Sequence, residues 1–414
     1  MLTLLLVALY ACMPVAVMSS DQLPSPVFYL ALVLCLFVVC RRSRVPASQV
    51  LADYRAFLYC YSVPLVVVLV SCAMHWRWAG SSVEAGLRGA LGMPILLLGL
   101  HQVKPRLLRQ SVWGVYAAAL FATGYVAYLA YPSWLVRPET SVYNAVGYGN
   151  LMLLLSVISL YSLRWRLTPM RKLECTVKIV VAIAALAGFV LTQTRTGWMA
   201  VPVFAVLGVA MATGFRRPWR AAGLLAAIVV VAMALGASSP SLRDRVEEGY
   251  QQTMQCYDVS HPVDSSVCIR FQLWRAAWHA FSHNPVIGLG DHSLFRNWMK
   301  TRALPDGVVS KYVANNFGEP HNDMMQALSS FGVLGGLGLL LLYFAPAWLF
   351  LKRMGSGYPR DNRVAAAMGA AVCLGFAVFG ITELMFRGMR TVSFYTMLVA
   401  LFLVLSEPDN EAAA

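Results

Sequence analysis

The chain has 414 residues, 59% of them hydrophobic and 13% charged, with a formal net charge of +14. Soluble domains carry about a quarter charged residues, so this composition excludes an ordinary soluble enzyme and predicts a membrane protein. The positive charge would suit nucleic acid, but its placement along the chain argues against that partner.

Apolar runs long enough to cross about 30 Å of hydrocarbon recur twelve times, at residues 2–18, 27–40, 56–73, 83–100, 111–131, 143–162, 176–192, 198–213, 221–237, 325–350, 364–385 and 391–405. The first has no basic stretch before it and is followed at once by another apolar run, so it reads as an uncleaved span rather than a signal peptide. The second is short, and the fourth carries Glu84 and Arg88. With the N-terminus inside, the inner loops hold Arg41, Arg42, Arg44 and Arg55, then Lys104 to Arg109, Arg164 to Lys172, Arg216 to Arg220 and Lys352 to Arg363, whereas the short outer loops hold only Arg77, Arg137, Arg195, Arg387 and Arg390. This asymmetry is the positive-inside rule, and it predicts cytoplasmic termini. The predicted organisation is nine spans over 1–237, an outer loop over 238–324, and three spans with a short tail over 325–414.

Up to about residue 175 the reading is spans and connectors. Trp76 with Trp78, Tyr131 with Trp134, and Tyr143 with Tyr148 cluster near span ends, as an interfacial aromatic belt requires. Asn144 and Asn150 read as helix-packing groups, with a sugar-facing role as the alternative. No internal repeat is visible, which weighs against a transporter built of inverted halves. Thr192-Gln193-Thr194-Arg195-Thr196-Gly197 joins two spans with almost no loop and presents Arg195 at the outer boundary. Topology would favour an arginine on the other side, so a function is expected there ahead of simple snorkelling.

The outer loop is far longer than a connector needs and should hold its own structure. A charged helix is predicted over 242–255, a turn-rich link over 256–263, and a second helix capped by Asp264 or Ser265 and ended by His283-Asn284-Pro285. In that helix Ile269, Leu273, Ala276, Ala277, Ala280 and Phe281 recur at helical spacing beside Trp274 and Trp278, which suggests a helix lying in the interface plane, with Arg270 and Arg275 on its polar side. Gly288 and Gly290 allow a tight turn before a short helix over 293–302; without a preceding strand or lysine they do not make a phosphate loop. Seven of the nine cysteines lie in or beside spans; Cys256 and Cys268 share the outer loop, where a bridge and two free thiols are both open.

The loop ends in Gly318-Glu319-Pro320-His321-Asn322-Asp323, which sets a histidine at the mouth of a span whose glycines at 332, 335, 336 and 338 allow close helix approach. Glu383, Arg387 and Arg390 lie near the outer end of the last connector, where orienting a site and pairing with one another are equally open readings. Arginine offers a charged planar fork suited to phosphate oxygens, and histidine suits proton transfer near neutral pH. Arg195, Arg270 and His321 together therefore suggest chemistry on a lipid-linked phosphate or diphosphate. No ligand spacing supports a metal at His321 with Asp323 or Glu319, and no metal or other cofactor is expected. A transporter would place ionisable groups near the midplane, whereas here they gather at the outer ends.

These residues resemble the bacterial O-antigen ligase and polymerase group of polytopic glycosyltransferases. The resemblance is carried by His321-Asn322, nine residues, then Gly332-Val333-Leu334-Gly335; by Thr194-Arg195-Thr196-Gly197; by Arg270; and by Asn284-Pro285 with Gly288-Leu289-Gly290. Trp274 stands four residues after Arg270 where the family pattern has a leucine. The resemblance implies an all-α, GT-C-like polytopic membrane protein of about twelve transmembrane helices with one large periplasmic helical loop, in the bacterial inner membrane. It implies transfer of a finished glycan from undecaprenyl diphosphate to a sugar hydroxyl of the lipid A core, without a metal. His321 is then the expected general base, and Arg195 and Arg270 hold the diphosphate, with Asn322, Glu383 and Arg275 as further substrate-binding candidates. An O-antigen polymerase, a protein O-oligosaccharyltransferase and a lipid-linked oligosaccharide transporter are the alternatives.

Overall fold

The computed structural model describes residues 1–41, 44–134, 137–213, 219, 223, 226–227, 256, 265–386 and 388–408. Among them every regular element is helical, and ten helices are long and apolar enough to cross a membrane. In order come α1 (Leu2–Ser19), α2 (Pro24–Arg41), the short α3 (Ala47–Asp53) and α4 (Arg55–His75). One span is made of α5 (Gly80–Ala90) and α6 (Gly92–His101), and another of α7 (Pro105–Leu108) and α8 (Trp113–Ala130). Then follow α9 (Ala145–Tyr161), α10 (Arg171–Leu191) and α11 (Val201–Thr213), the last entered through a 3-10 turn at Thr196–Ala200. The expected ninth span and the charged helix over 242–255 lie outside the described residues, apart from a few isolated positions. The extramembrane part has α12 (Ser266–His283), α13 (Leu294–Trp298) and α14 (Lys311–Asn316), before α15 (Asp323–Arg353), α16 (Arg360–Phe379) and the shorter apolar α17 (Met389–Leu405).

Burial sorts the spans. The α9 span is 83% buried and α16 is 78% buried, against 33% for α2, so α9 and α16 are central and α2 faces outward. The small residues Ala365, Ala366, Ala367, Ala370 and Ala371 of α16 are fully buried, as close packing between membrane helices requires. Arg88 is tolerated inside its span because its guanidinium bonds Glu84 Oε1, Ser393 Oγ and the Met389 carbonyl.

Three expectations are corrected. Trp76, Trp78, Tyr131 and Trp134 are exposed, as a belt requires, but Tyr143 and Tyr148 are buried and donate to the Leu384 and Met18 carbonyls. The apolar stripe of α12 does not face lipid: Leu273, Ala276 and Ala277 pack on Phe295, Met299, Ala303, Val313 and Ala314 of the same lobe. A helical stripe demands an apolar partner without specifying lipid or protein, and here the lobe supplies its own. Finally, α15 is not continuous. Gly332 leaves helical geometry (φ 64°, ψ −156°), and the expected close approach to another helix is left to Gly338, which faces Pro64 of α4.

Ser265 caps α12 through the Cys268 amide, and Cys256 is bonded to Cys268. Denatured, unreduced protein is therefore expected to show the seven remaining thiols. Thiol labelling of Cys256→Ser should gain one, from freed Cys268; no gain would break the pairing.

Candidate active site

His321 is placed by a short, heavily tied stretch. Its own backbone is left-handed (φ 47°), a region that histidine enters more readily than most side chains. On one side Trp274 of α12 donates its indole N–H to the Pro320 carbonyl at 3.1 Å, so the residue that departs from the family pattern anchors the approach to the histidine. On the other, Asn322 uses both ends of its amide on backbone: its oxygen caps α15 at Met325 N, 2.9 Å, and its nitrogen donates to the Ile381 carbonyl at 2.7 Å. Asp323 extends the clamp. Its amide donates to the Gly380 carbonyl, and its buried carboxylate accepts from Tyr343 Oη and from the Met385 and Phe386 amides. The start of α15 and the 380–388 connector are thereby locked together.

That lock brings Glu383 to His321. Oε1 of the buried carboxylate lies 3.4 Å from Nδ1 of the half-buried imidazole, and also accepts from the Leu384 amide. Burial would raise the Glu383 carboxyl, but the hydrogen bond and charge of His321, with the Asn144 amide beside it, hold it below the ordinary range. An anionic carboxylate accepts only, so Nδ1 carries the hydrogen facing Glu383, and it is in the neutral ring that Nε2 keeps a lone pair. In this connector Glu383 pairs with the histidine rather than with an arginine, and Arg390 is engaged elsewhere, with Asp21 and the Val142 carbonyl. Arg387 lies outside the described residues.

Both side chains face a cavity of about 540 Å³, lined also by Arg270, Arg137, Glu139 and Asn144. Burial draws the Arg270 guanidinium below its ordinary range against the opposing pull of Glu383. Arg137, exposed at the edge of the cavity, is lowered too, by partial desolvation first and then by the charge of Arg270. Both stay charged. Two cations that disfavour each other in a partly buried cleft form a site prepared for an anion.

The remaining expected residues divide. Arg195 is exposed and is not part of the cavity lining; its junction is docked on α9 by Thr194 Oγ1, which bonds the Ala145 carbonyl, and its charge reaches Arg137. Arg275 is exposed and donates to the Cys256 carbonyl at 3.3 Å, away from the cavity. Arg137 is the residue that sequence reasoning passed over, although it is one of the few basic residues in the short loops expected on the outer side. Asn144, read mainly as a packing group, caps α9 and lines the cavity. Among the described residues no group of three or more metal-ligating side chains occurs.

Residues 179–340 match the family described as O-antigen ligase, which bears out the resemblance read from the motifs. The match includes Arg195, Arg270 and His321, while Arg137 and Glu383 lie outside it. A protein of Haemophilus influenzae described as uncharacterized is 25% identical over 183 residues, 42% of this chain. The chain spans about 43% of the length of that relative. The match covers residues 179–340 only, and ten helices long and apolar enough to cross a membrane make the chain a multi-pass membrane protein.

Proposed function

We propose that the chain is an O-antigen ligase, transferring a glycan from undecaprenyl diphosphate to a hydroxyl of a lipid A core sugar on the periplasmic side of the inner membrane, with both termini cytoplasmic. The observation that carries this reading is the single cavity shared by the His321–Glu383 pair and the guanidinium groups of Arg270 and Arg137. Nε2 of His321 takes the proton of the acceptor hydroxyl, whose oxygen attacks the anomeric carbon. The bond from that carbon to the diphosphate oxygen breaks, and the diphosphate leaves with the electron pair. Direct attack inverts the anomeric configuration. Charge grows on the leaving group during this step, and fixed cations aimed at it stabilise the transition state more than the ground state. Glu383 holds the imidazole tautomer and stabilises the imidazolium that forms. Arg195, at the rim, assists by long-range charge.

Reconstitution with undecaprenyl-diphosphate glycan and purified lipid A core, in the presence of a chelator, tests the reaction. Laddered product on the lipid A core is expected; lengthened undecaprenyl-linked chains would instead mark a polymerase. The arginine roles are tested by Arg137→Lys and Arg270→Lys. A point charge does not replace a fork, so each is expected to weaken donor binding about tenfold, roughly 1.4 kcal/mol. Normal donor KM in both variants would move diphosphate recognition elsewhere.

A further inference from the structure

A second cavity, of about 360 Å³, lies behind the same turn. Gly318 and Glu319 line it where His321 lines the first, and Leu384 lines it where Glu383 lines the first. Its depth is apolar and runs between α4, α5, α15 and α17, past Val67, Gly86, Leu342 and Val392. Its outer end is polar and carries His292 and Gln326, which the chemistry above does not use.

Nδ1 of His292 is engaged by Gln326 Nε2 at 3.1 Å and by Ser330 Oγ at 2.9 Å, and the ring stands edge-on to Phe331. Burial lowers the imidazole below its ordinary range against the opposing pull of Asp291, so the ring is neutral at pH 7. A neutral ring whose Nδ1 accepts from an amide NH₂ must carry its hydrogen on Nε2. Gln326 spends its nitrogen on His292 and on Ser330 Oγ, 2.8 Å away, which leaves its carbonyl oxygen. The two residues therefore offer an occupant one donor and one acceptor. Turning the amide over exchanges the two roles and still leaves one of each.

One donor beside one acceptor complements a hydroxyl, which both gives and receives a hydrogen bond. It does not complement a diphosphate, which only accepts. The lining agrees: among the described residues it contains the carboxylates of Glu319 and Asp323 and no arginine or lysine, whereas the described lining of the first cavity contains Arg137 and Arg270. Arg296 packs against Gly318 from outside that lining. The anionic donor group and a neutral hydroxyl-bearing group are thus sorted to opposite faces of the His321 turn.

We propose that this second cavity is an acceptor-docking subsite, holding a neutral, non-reacting sugar hydroxyl of the acceptor at His292 and Gln326 and hydrocarbon of its lipid part between α4 and α15, while the reacting hydroxyl reaches His321 round the turn. The proposal rests on the ligase reading for the word acceptor, but the binding itself is measurable without transfer. The probes are decyl glucoside, a neutral sugar on one chain, and farnesyl diphosphate, an anionic isoprenoid, each titrated into the full chain in nanodiscs. His292→Phe and Gln326→Leu are expected to weaken decyl glucoside binding about tenfold and to leave farnesyl diphosphate binding unchanged. His292→Gln, which keeps one donor and one acceptor, should restore most of the binding and guards against misfolding of the phenylalanine variant. Unchanged glucoside binding in both loss variants would overturn the proposal, as would weakened farnesyl diphosphate binding, which would give the cavity to the donor. In transfer assays the same variants should raise the acceptor KM and not the donor KM. If the binding results hold while no glycan reaches the lipid A core, the hydroxyl site stands and the ligase reading fails.

Discussion

Replacing His321 by alanine is expected to lower the rate of transfer by about 10²- to 10⁴-fold, the usual contribution of a positioned general base, while donor binding stays within about twofold. The expectation follows from the proposed division of labour in the cavity, in which the arginines meet the diphosphate and the imidazole, whose basicity suits proton transfer near neutral pH, takes the proton of the acceptor hydroxyl. Alanine in a left-handed backbone costs roughly 1–2 kcal/mol, so folded yield has to be measured beside activity. Glu383→Gln separates orientation from charge. An amide oxygen still accepts from Nδ1–H, so the tautomer is kept, but the anion that would stabilise the imidazolium is gone, and a drop of about tenfold is expected. The sign of the pH dependence follows from the lowered carboxyl of Glu383. A carboxylate whose folded pKa lies below its unfolded value, about 4.3, contributes its stabilisation above that value and loses it as the pH falls through the folded pKa. Loss of activity between pH 7 and 5 therefore would not come from Glu383. Full activity of His321→Ala in a steady-state assay would remove the general-base role.

Most of the spans were legible because an apolar run of about 20 residues has few other uses, and the candidate histidine stood out because it ends the longest polar segment. The failures have physical causes. The run 364–385 reads as one span, but α16 stops at Phe379 and the connector continues with Ile381, Leu384, Met385 and Phe386. Those apolar residues disguise the segment that carries Glu383, and its pairing with His321 joins positions 62 apart in sequence. Arg137 has no local signal either; it becomes a site residue only because the 137–144 segment is pinned by Tyr143 to the Leu384 carbonyl. In α12 the periodicity correctly located the helix and its buried face, yet could not say what covered that face. Asn322 was legible as part of a motif but not in its role, since a motif position does not tell a substrate contact from a clamp.

The second large effect is expected far from the reacting atoms, at Gly332. Where α15 breaks, its hydrogen bonds are exchanged with the loop that follows α12. The Val333 amide, freed from the helix, donates to the Pro285 carbonyl at 2.8 Å, and the Ser329 and Ser330 carbonyls accept from Leu289 at 2.9 Å and Gly290 at 2.8 Å. These three bonds stand in for helical ones, and they require two backbones in direct contact. A Cβ on Gly332 would lie 2.3 Å from Val286 C and O, and one on Gly288 (φ 61°) would lie 2.4 Å from Phe331 N. The conformation at Gly332 is one that essentially only glycine adopts, at about 1–3 kcal/mol for any other residue before the overlap is counted. Gly332→Ala is therefore expected to cost at least about 3 kcal/mol. It should detach the 285–290 loop from α15, seen as faster protease cleavage there and a lowered unfolding temperature. Transfer should fall with it, because the loop joins the helix that carries Arg270 to the one that presents His321. Gly307 supplies the control: its φ is also positive, 69°, but nothing lies within 4 Å of its added carbon. Alanine there should cost only the local backbone preference, roughly 1–2 kcal/mol, and leave protease resistance of the 285–290 loop intact. Equal behaviour of the two variants would mean that the contact between loop and broken helix does not hold the lobe in place, and that α12 finds its position over His321 through the Trp274 bond to Pro320 instead.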